Sequence, residues 1–138
     1  MKRFVLGLVV VSLLLVLLPA CGPTQEPGSS VPNEVKLTKA DAGKSVEIAQ
    51  GGTLEIALEG NPTTGYTWEV GSGDEKILKL EGEPDFKAES DAVGAGGMMT
   101  LKFKAESAGK TELKLVYHQP WEETQEPAET FDVSVTVK

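Results

Sequence analysis

The stretch TLEIALEGNPTTGYTWEV, residues 53–70, contains two short segments in which apolar residues alternate with polar or small ones. A period of two is typical of β-strands that bury one face. Between the segments lie six residues, Gly60 to Gly65, where an ordinary hairpin needs two turn residues. The stretch therefore predicts two antiparallel strands joined by an unusually long, uncharged loop.

The same alternation recurs along the rest of the chain. It is present at 35–38, 46–49, 77–80, 99–105, 111–117 and 130–137. No segment after residue 35 has the periodicity of a helix. About seven or eight short strands are typical of a β-sandwich. We therefore predict an all-β fold, an immunoglobulin-like antiparallel β-sandwich, over residues 35–138.

Strand direction predicts which connections lie together. If consecutive strands run antiparallel from 53–58 onward, the connections at 59–65, 81–98 and 118–129 share one end of the sandwich. Short glycine-containing turns occupy the other end. A further strand near Phe86 would change this count. Because function on such a scaffold usually resides in loops, we expect the functional site at the end with the long connections.

The loop within 60–66 is stiffened by its own residues. Pro62 fixes its own φ and disfavours helical geometry at Asn61. Thr63 and Thr64 are β-branched and have limited side-chain freedom, while Gly65 can adopt backbone angles closed to other residues. The sequence therefore predicts a rigid loop whose tip carries small, uncharged side chains.

The other two connections contain different chemistry. Gly94-Ala95-Gly96-Gly97 would let another backbone approach closely, although the segment by itself is more typical of a flexible loop. A phosphate-binding loop would require a strand-to-helix context that the sequence lacks. Gln119-Pro120-Trp121 places a tryptophan in a polar loop. An exposed tryptophan is a typical interface anchor, although packing against the core is the alternative.

NPTTGY at 61–66, G-x-G-G at 94–97 and x-Pro-Trp at 119–121 resemble, in their order and spacing, the chagasin family of cysteine-peptidase inhibitors. The resemblance covers about residues 35–138. It implies an immunoglobulin-like sandwich that inhibits papain-like cysteine peptidases reversibly and competitively. Three loops, 60–66, 94–97 and 119–121, would occlude the active-site cleft.

The resemblance also implies which residues bind the peptidase. They are Asn61, Pro62, Thr63, Thr64, Gly65, Tyr66, Gly94, Ala95, Gly96, Gly97, Gln119, Pro120 and Trp121. Thr63 and Thr64 would lie over the catalytic Cys–His pair, the glycine-rich segment beside the substrate-binding strand, and Trp121 on the primed side. Family members usually have arginine where this chain has Gln119, which keeps hydrogen bonding but loses the charge and the stacking plane.

The N-terminal region predicts export and attachment to a membrane. A basic start is followed by an apolar run from Phe4 to Leu18, as in a signal peptide. Leu18-Pro19-Ala20-Cys21 resembles the lipobox of bacterial lipoproteins, although proline is unusual at its position. We expect a lipoprotein signal peptide at 1–20, a lipidated Cys21 and a flexible tether over 21–34, on the extracytoplasmic side. A plain secretory signal with an incidental cysteine is the alternative.

Charge argues against nucleic acid as a partner. Without Lys2 and Arg3, 11 basic residues, all lysine, stand against 21 acidic ones, a formal side-chain charge of −10. The chain therefore offers no basic patch for phosphates. We expect a monomer whose partners are a papain-like peptidase and, through Cys21, a membrane.

The sequence offers little for catalysis. It has one histidine, and its one cysteine is expected to be acylated. His118 with Glu122 and Glu123 would be a weak metal site within one loop. We therefore expect no enzymatic activity, no catalytic residues, no metal and no cofactor. The alternative to an inhibitor is a membrane-tethered binding module for an envelope protein or a carbohydrate, with the aromatic side chains as its platform.

Overall fold

The computed structural model describes residues 30–122 and 124–138. The predicted signal peptide, Cys21 and the first part of the tether lie outside these residues. Within them the strands are β1 (Glu34–Thr38), β2 (Ser45–Ile48), β3 (Thr53–Gly60), β4 (Thr67–Ser72), β5 (Leu78–Leu80), β6 (Asp85–Ala88), β7 (Gly97–Ala105), β8 (Gly109–His118) and β9 (Glu129–Val137).

The helical structure in this part of the chain consists of two short 3-10 turns, Lys39–Asp41 and Pro62–Thr64. Among the described residues, no helix has the length and apolar character needed to span a membrane.

The strands form two sheets, and the predicted β-sandwich is confirmed. The first sheet has the order β1-β3-β7-β5, with β6 also paired to β7, and the second has the order β2-β9-β8-β4. Most pairs are antiparallel, as predicted. The edge pairs β1–β3 and β2–β9 are parallel, so both sheets are mixed.

The strand near Phe86 exists and is β6. Both β5 and β6 run antiparallel to β7 and follow one another along its edge, with Leu80 opposite Phe103 and Asp85 opposite Thr100. Since β6 continues in the direction of β5, it does not change which connections lie together.

The core lies between the sheets and consists of the alternating apolar residues. The side chains that are 2% exposed or less include Leu54, Ile56, Leu58, Leu101 and Phe103 of the first sheet and Trp68, Leu113, Leu115, Phe131, Val133 and Val135 of the second. Removing this apolar surface from water is the main favourable contribution to folding.

Three long connections lie at one end of the sandwich, as predicted. Gly60 at the end of β3 pairs with Gly97 at the start of β7, and His118 at the end of β8 pairs with Thr67 at the start of β4. We call residues 61–66 the first loop, 89–96 the second loop and 119–128 the third loop. Because β1 is parallel to β3, the connection at 39–44 also begins towards this end.

Gly97 provides a test of the close packing of β7 against β6. A β-carbon at this position would lie 2.1 Å from the Lys87 carbonyl oxygen and 2.7 Å from the Ala88 Cα. We expect Gly97→Ala to lower the free energy of unfolding by about 1–3 kcal/mol, because β6 must move away.

Gly96→Ala is the matched control for this measurement. Its β-carbon would have ordinary contact, 3.6 Å from the Gly60 carbonyl oxygen, and we expect a change within about 0.5 kcal/mol. Urea unfolding of both variants measures the difference, and equal midpoints would contradict the packing argument.

Candidate functional site

The first loop is a compact turn held by its own hydrogen bonds. The Asn61 Oδ1 accepts from the backbone N–H of Thr63 at 3.1 Å and from its hydroxyl at 2.5 Å. The Asn61 carbonyl accepts from the backbone N–H of Thr64 at 3.1 Å and from its hydroxyl at 2.6 Å. Both hydroxyl groups therefore donate within the turn, and both threonines remain exposed at its tip.

The first loop ends against the third loop. Gly65 has a φ of +82°, in the left-handed region that favours glycine. A β-carbon there would lie 2.2 Å from Cη2 of Trp121, so the indole ring packs directly over Gly65. In addition, the Gln119 Nε2 donates to the Thr64 carbonyl at 3.2 Å.

Trp121 is a surface residue and not a part of the core. Its side chain remains 64% exposed although one edge covers Gly65. Pro120 beside it is also exposed. The third loop therefore presents an aromatic surface next to the tip of the first loop, as the sequence predicted.

The second loop lies on the other side of the first. The Asn61 Nδ2 donates to the Gly94 carbonyl at 3.0 Å, and the Ala95 N–H donates to the Ala92 carbonyl at 3.1 Å. Gly97 differs from the rest of its motif because it lies buried in β7. Beside Gly94, the side chain of Val93 is fully exposed, a feature that the sequence analysis missed.

Aromatic side chains of the second sheet support the base of the first loop. The Trp68 Nε1 donates to the Glu59 carbonyl at 2.9 Å, and the Asn61 N–H donates to the Tyr117 hydroxyl at 2.8 Å. The Tyr117 ring lies 5.3 Å from the Tyr66 ring and 5.1 Å from the Trp68 ring, centroid to centroid. Tyr66 is thus half-buried in the stack below the loop and not at its tip.

The end of the sandwich that carries the loops is acidic. A groove of about 250 Å³ between the first loop, the second loop and the start of β9 is lined by Glu59, Glu89 and Glu129. At its edge, the Lys39 Nζ lies 2.5 Å from a Glu129 carboxylate oxygen, and this hydrogen bond raises the pKa of Lys39. The groove is therefore lined by three carboxylates, and that of Glu129 is paired with Lys39.

His118 is paired with a strand residue. Its Nε2 lies 2.8 Å from a carboxylate oxygen of Glu69 on β4. In the described part of the chain, no group of three or more His, Cys, Asp or Glu side chains is arranged to hold a metal ion. Glu123 lies outside this part.

The predicted site residues therefore have three different locations. The loop residues Asn61 to Gly65, Gly94 to Gly96 and Gln119 to Trp121 form one surface, joined by the Asn61, Gln119 and Trp121 contacts. Tyr66 lies beneath this surface and Gly97 within a strand. The sequence feature that could have identified Val93 is a branched apolar residue within a segment of small and polar residues, 89–97.

Comparison with known proteins identifies one family. The model of the chagasin family peptidase inhibitor I42 matches residues 47–135. Chagasin from Trypanosoma cruzi is 33% identical over 103 residues, which cover 71% of this chain and 93% of chagasin. Amoebiasin-1 from Entamoeba histolytica is 34% identical over 104 residues, 75% of this chain and all of the amoebiasin.

A solved structure agrees with these matches. The crystal structure of a cysteine protease inhibitor from Entamoeba histolytica superposes with a TM-score of 0.67 at 29% identity, covering 76% of this chain and 96% of that chain. Residues 47–135, which the family model matches, include all three loops of the surface described above.

Gly65 provides a test of the contact between the first and third loops. We expect Gly65→Ala to displace the Trp121 ring, because the new methyl group would overlap it, and to cost about 1–3 kcal/mol in stability. Acrylamide quenching of tryptophan fluorescence should rise, since Trp68 is buried and the quenchable emission comes from Trp121.

Gly82→Ala is the control, because Gly82 also has a positive φ, +72°, but nothing lies within 4 Å of its added methyl group. Gly82→Ala should also lower stability through backbone strain, but it should leave the acrylamide quenching of tryptophan fluorescence unchanged. The same quenching change in both variants would contradict the ring contact.

Proposed function

This chain belongs to the chagasin family of peptidase inhibitors, and we propose that it blocks papain-like cysteine peptidases by filling their active-site cleft with its three loops. Its relatives are inhibitors and not enzymes, and the chain is an inhibitor as well. The observation that carries the proposed mode of binding is that hydrogen bonds join the three loops into one surface.

A rigid surface suits a protein that must block a cleft without being cut. The peptidase nucleophile is a cysteine thiolate activated by a histidine. The thiolate attacks the carbonyl carbon of a peptide bond, and the carbonyl oxygen must lie in the oxyanion hole for this attack. In the first loop, the Asn61 and Pro62 carbonyls accept hydrogen bonds from Thr64 and Gly65, within a 3-10 turn. These carbonyls are therefore held away from an attack geometry.

The tip of the first loop fits the entrance of such a site. Thr63 and Thr64 are exposed and uncharged, and their hydroxyl groups donate within the loop. Little polar surface has to lose its water when the tip enters the cleft, which limits the desolvation cost. In the bound state we expect the tip to cover the catalytic Cys–His pair.

The two neighbouring loops add apolar contacts. Val93 stands exposed beside the first loop on one side and Trp121 on the other. Exposed aromatic side chains of this kind commonly provide a large share of binding energy. Because all three loops belong to one body, the second and third contacts require little further loss of freedom on binding.

Gln119 supports the same surface from within. Its amide bonds the Thr64 carbonyl, so the side chain at the position usually taken by arginine in the family helps to hold the first loop. We infer that this chain inhibits without the arginine, and that the substitution affects affinity and target range more than the mode of binding.

Titration of the chain into papain tests the proposed function. We expect competitive, reversible loss of hydrolysis of a small fluorogenic substrate, and no effect on trypsin. Thr63→Asp should raise the inhibition constant by about 100-fold, because it would bury an unpaired carboxylate in the cleft.

Ala108→Asp is the matched control, because it adds the same charge to an exposed residue in the turn before β8, at the opposite end of the sandwich. It should leave inhibition unchanged. If neither papain nor a panel of related peptidases is inhibited, the proposed function is wrong and the loops bind something else.

We propose further that the chain is an exported lipoprotein, anchored through Cys21 and monomeric. The support is the sequence alone: the apolar run, the lipobox-like residues before Cys21 and a polar segment rich in proline, glycine and serine after it. More than one acyl chain on Cys21 would give stable attachment, whereas a single chain binds a membrane only marginally.

Cys21→Ser tests this anchor. We expect the unchanged chain in a bacterial host to fractionate with membranes and to carry lipid on Cys21, detected by mass spectrometry. The variant should lose the lipid, because serine offers no thiol. An unmodified Cys21 in a chain that was exported would contradict lipidation and leave the plain secretory signal.

A further inference from the structure

We propose that Tyr117 is a positioning residue that keeps the first loop from becoming a substrate of the peptidase it blocks. This inference rests on the proposed function and concerns the same surface. Tyr117 lies on β8 in the second sheet, whereas the first loop leaves from β3 in the first sheet. Its hydroxyl therefore reaches across the sandwich to the base of the loop.

The contact is made at the point where strand pairing stops. Gly60, paired with Gly97, is the last residue of β3, and the next backbone N–H, that of Asn61, donates to the Tyr117 hydroxyl at 2.8 Å. Two residues before Asn61, the Glu59 carbonyl accepts from the Trp68 Nε1 at 2.9 Å. Two side chains of the second sheet, Tyr117 and Trp68, thus bond the backbone at the point where it leaves β3.

Of these two bonds, the one to Tyr117 acts directly on the loop. Asn61 begins the turn, and its side chain and carbonyl hold Thr63 and Thr64. If the Asn61 N–H is released, the residue can rotate and the turn can open towards the extended backbone that a peptidase cleaves. The ring of Tyr117 lies in the stack with Tyr66 and Trp68, so its hydroxyl has a fixed position.

Tyr117→Phe removes the hydroxyl and keeps the stacked ring. With the hydrogen bond gone, we expect the inhibition constant for papain to rise about tenfold. We also expect inhibition to become temporary. Papain would form an acyl-enzyme at a peptide bond within 61–66, and water would release it, giving two fragments whose summed mass exceeds the intact chain by one water.

The experiment incubates the full chain, purified in detergent, with a catalytic amount of papain, and follows both remaining inhibition and mass over a day. Thr111→Val is the matched control. The Thr111 hydroxyl accepts a hydrogen bond from the Asp74 N–H at 2.9 Å, at the opposite end of the sandwich. Thr111→Val therefore removes the same kind of hydrogen bond far from the loops. Thermal unfolding of both variants shows whether they lose similar stability.

Cleavage within 61–66 in Tyr117→Phe, with the unchanged chain and Thr111→Val intact there, supports the positioning role. An intact Tyr117→Phe loop overturns it, and so does equal cleavage of the first loop in Thr111→Val, which would indicate general destabilisation. If the unchanged chain resists cleavage but does not inhibit, while Tyr117→Phe is cut in the loop, the positioning role stands and the proposed function fails.

Discussion

The arrangement of the first and second loops depends on the hydrogen bonds of Asn61. Its backbone N–H is bonded to Tyr117 of the opposite sheet, its side-chain oxygen to Thr63, and its side-chain nitrogen to the Gly94 carbonyl of the second loop. One residue thus joins the core, the first loop and the second loop. Since these groups are bonded in the free chain, the entropy of ordering them is lost on folding and not on binding.

Strand alternation was sufficient to predict the sandwich and the end that carries the site. The prediction survived the additional strand β6 because β6 continues β5 along the same edge of β7. The parallel edge pairs were not predictable in this way, since alternation indicates which face of a strand is buried but not its neighbour. β1 and β2 are short edge strands, and their partners are decided by tertiary packing.

The loops of the site were predictable from their sequences, but the bonds between them were not. Pro62 and Gly65 identify a stiff turn locally. The contacts of Asn61 with Gly94 and of Gln119 with Thr64 join residues 33 and 55 positions apart, and no local pattern indicates them. Tyr117 lies in the alternating segment 111–117, and alternation predicts only which face of a strand is buried, not that the Tyr117 hydroxyl bonds the Asn61 N–H.

The same aromatic stack serves the core and the base of the first loop, so core packing and the position of this loop are linked at one end of the molecule. Trp68 is buried between the sheets while its ring nitrogen holds the backbone just before the first loop. A substitution that loosens the core near this stack must also loosen the loop. The turn before β8 lies at the opposite end of the sandwich, so we expect changes there to affect folding more than the surface formed by the loops. The fold thus separates an end where the loops are bonded to the aromatic stack of the core from an end that carries short turns.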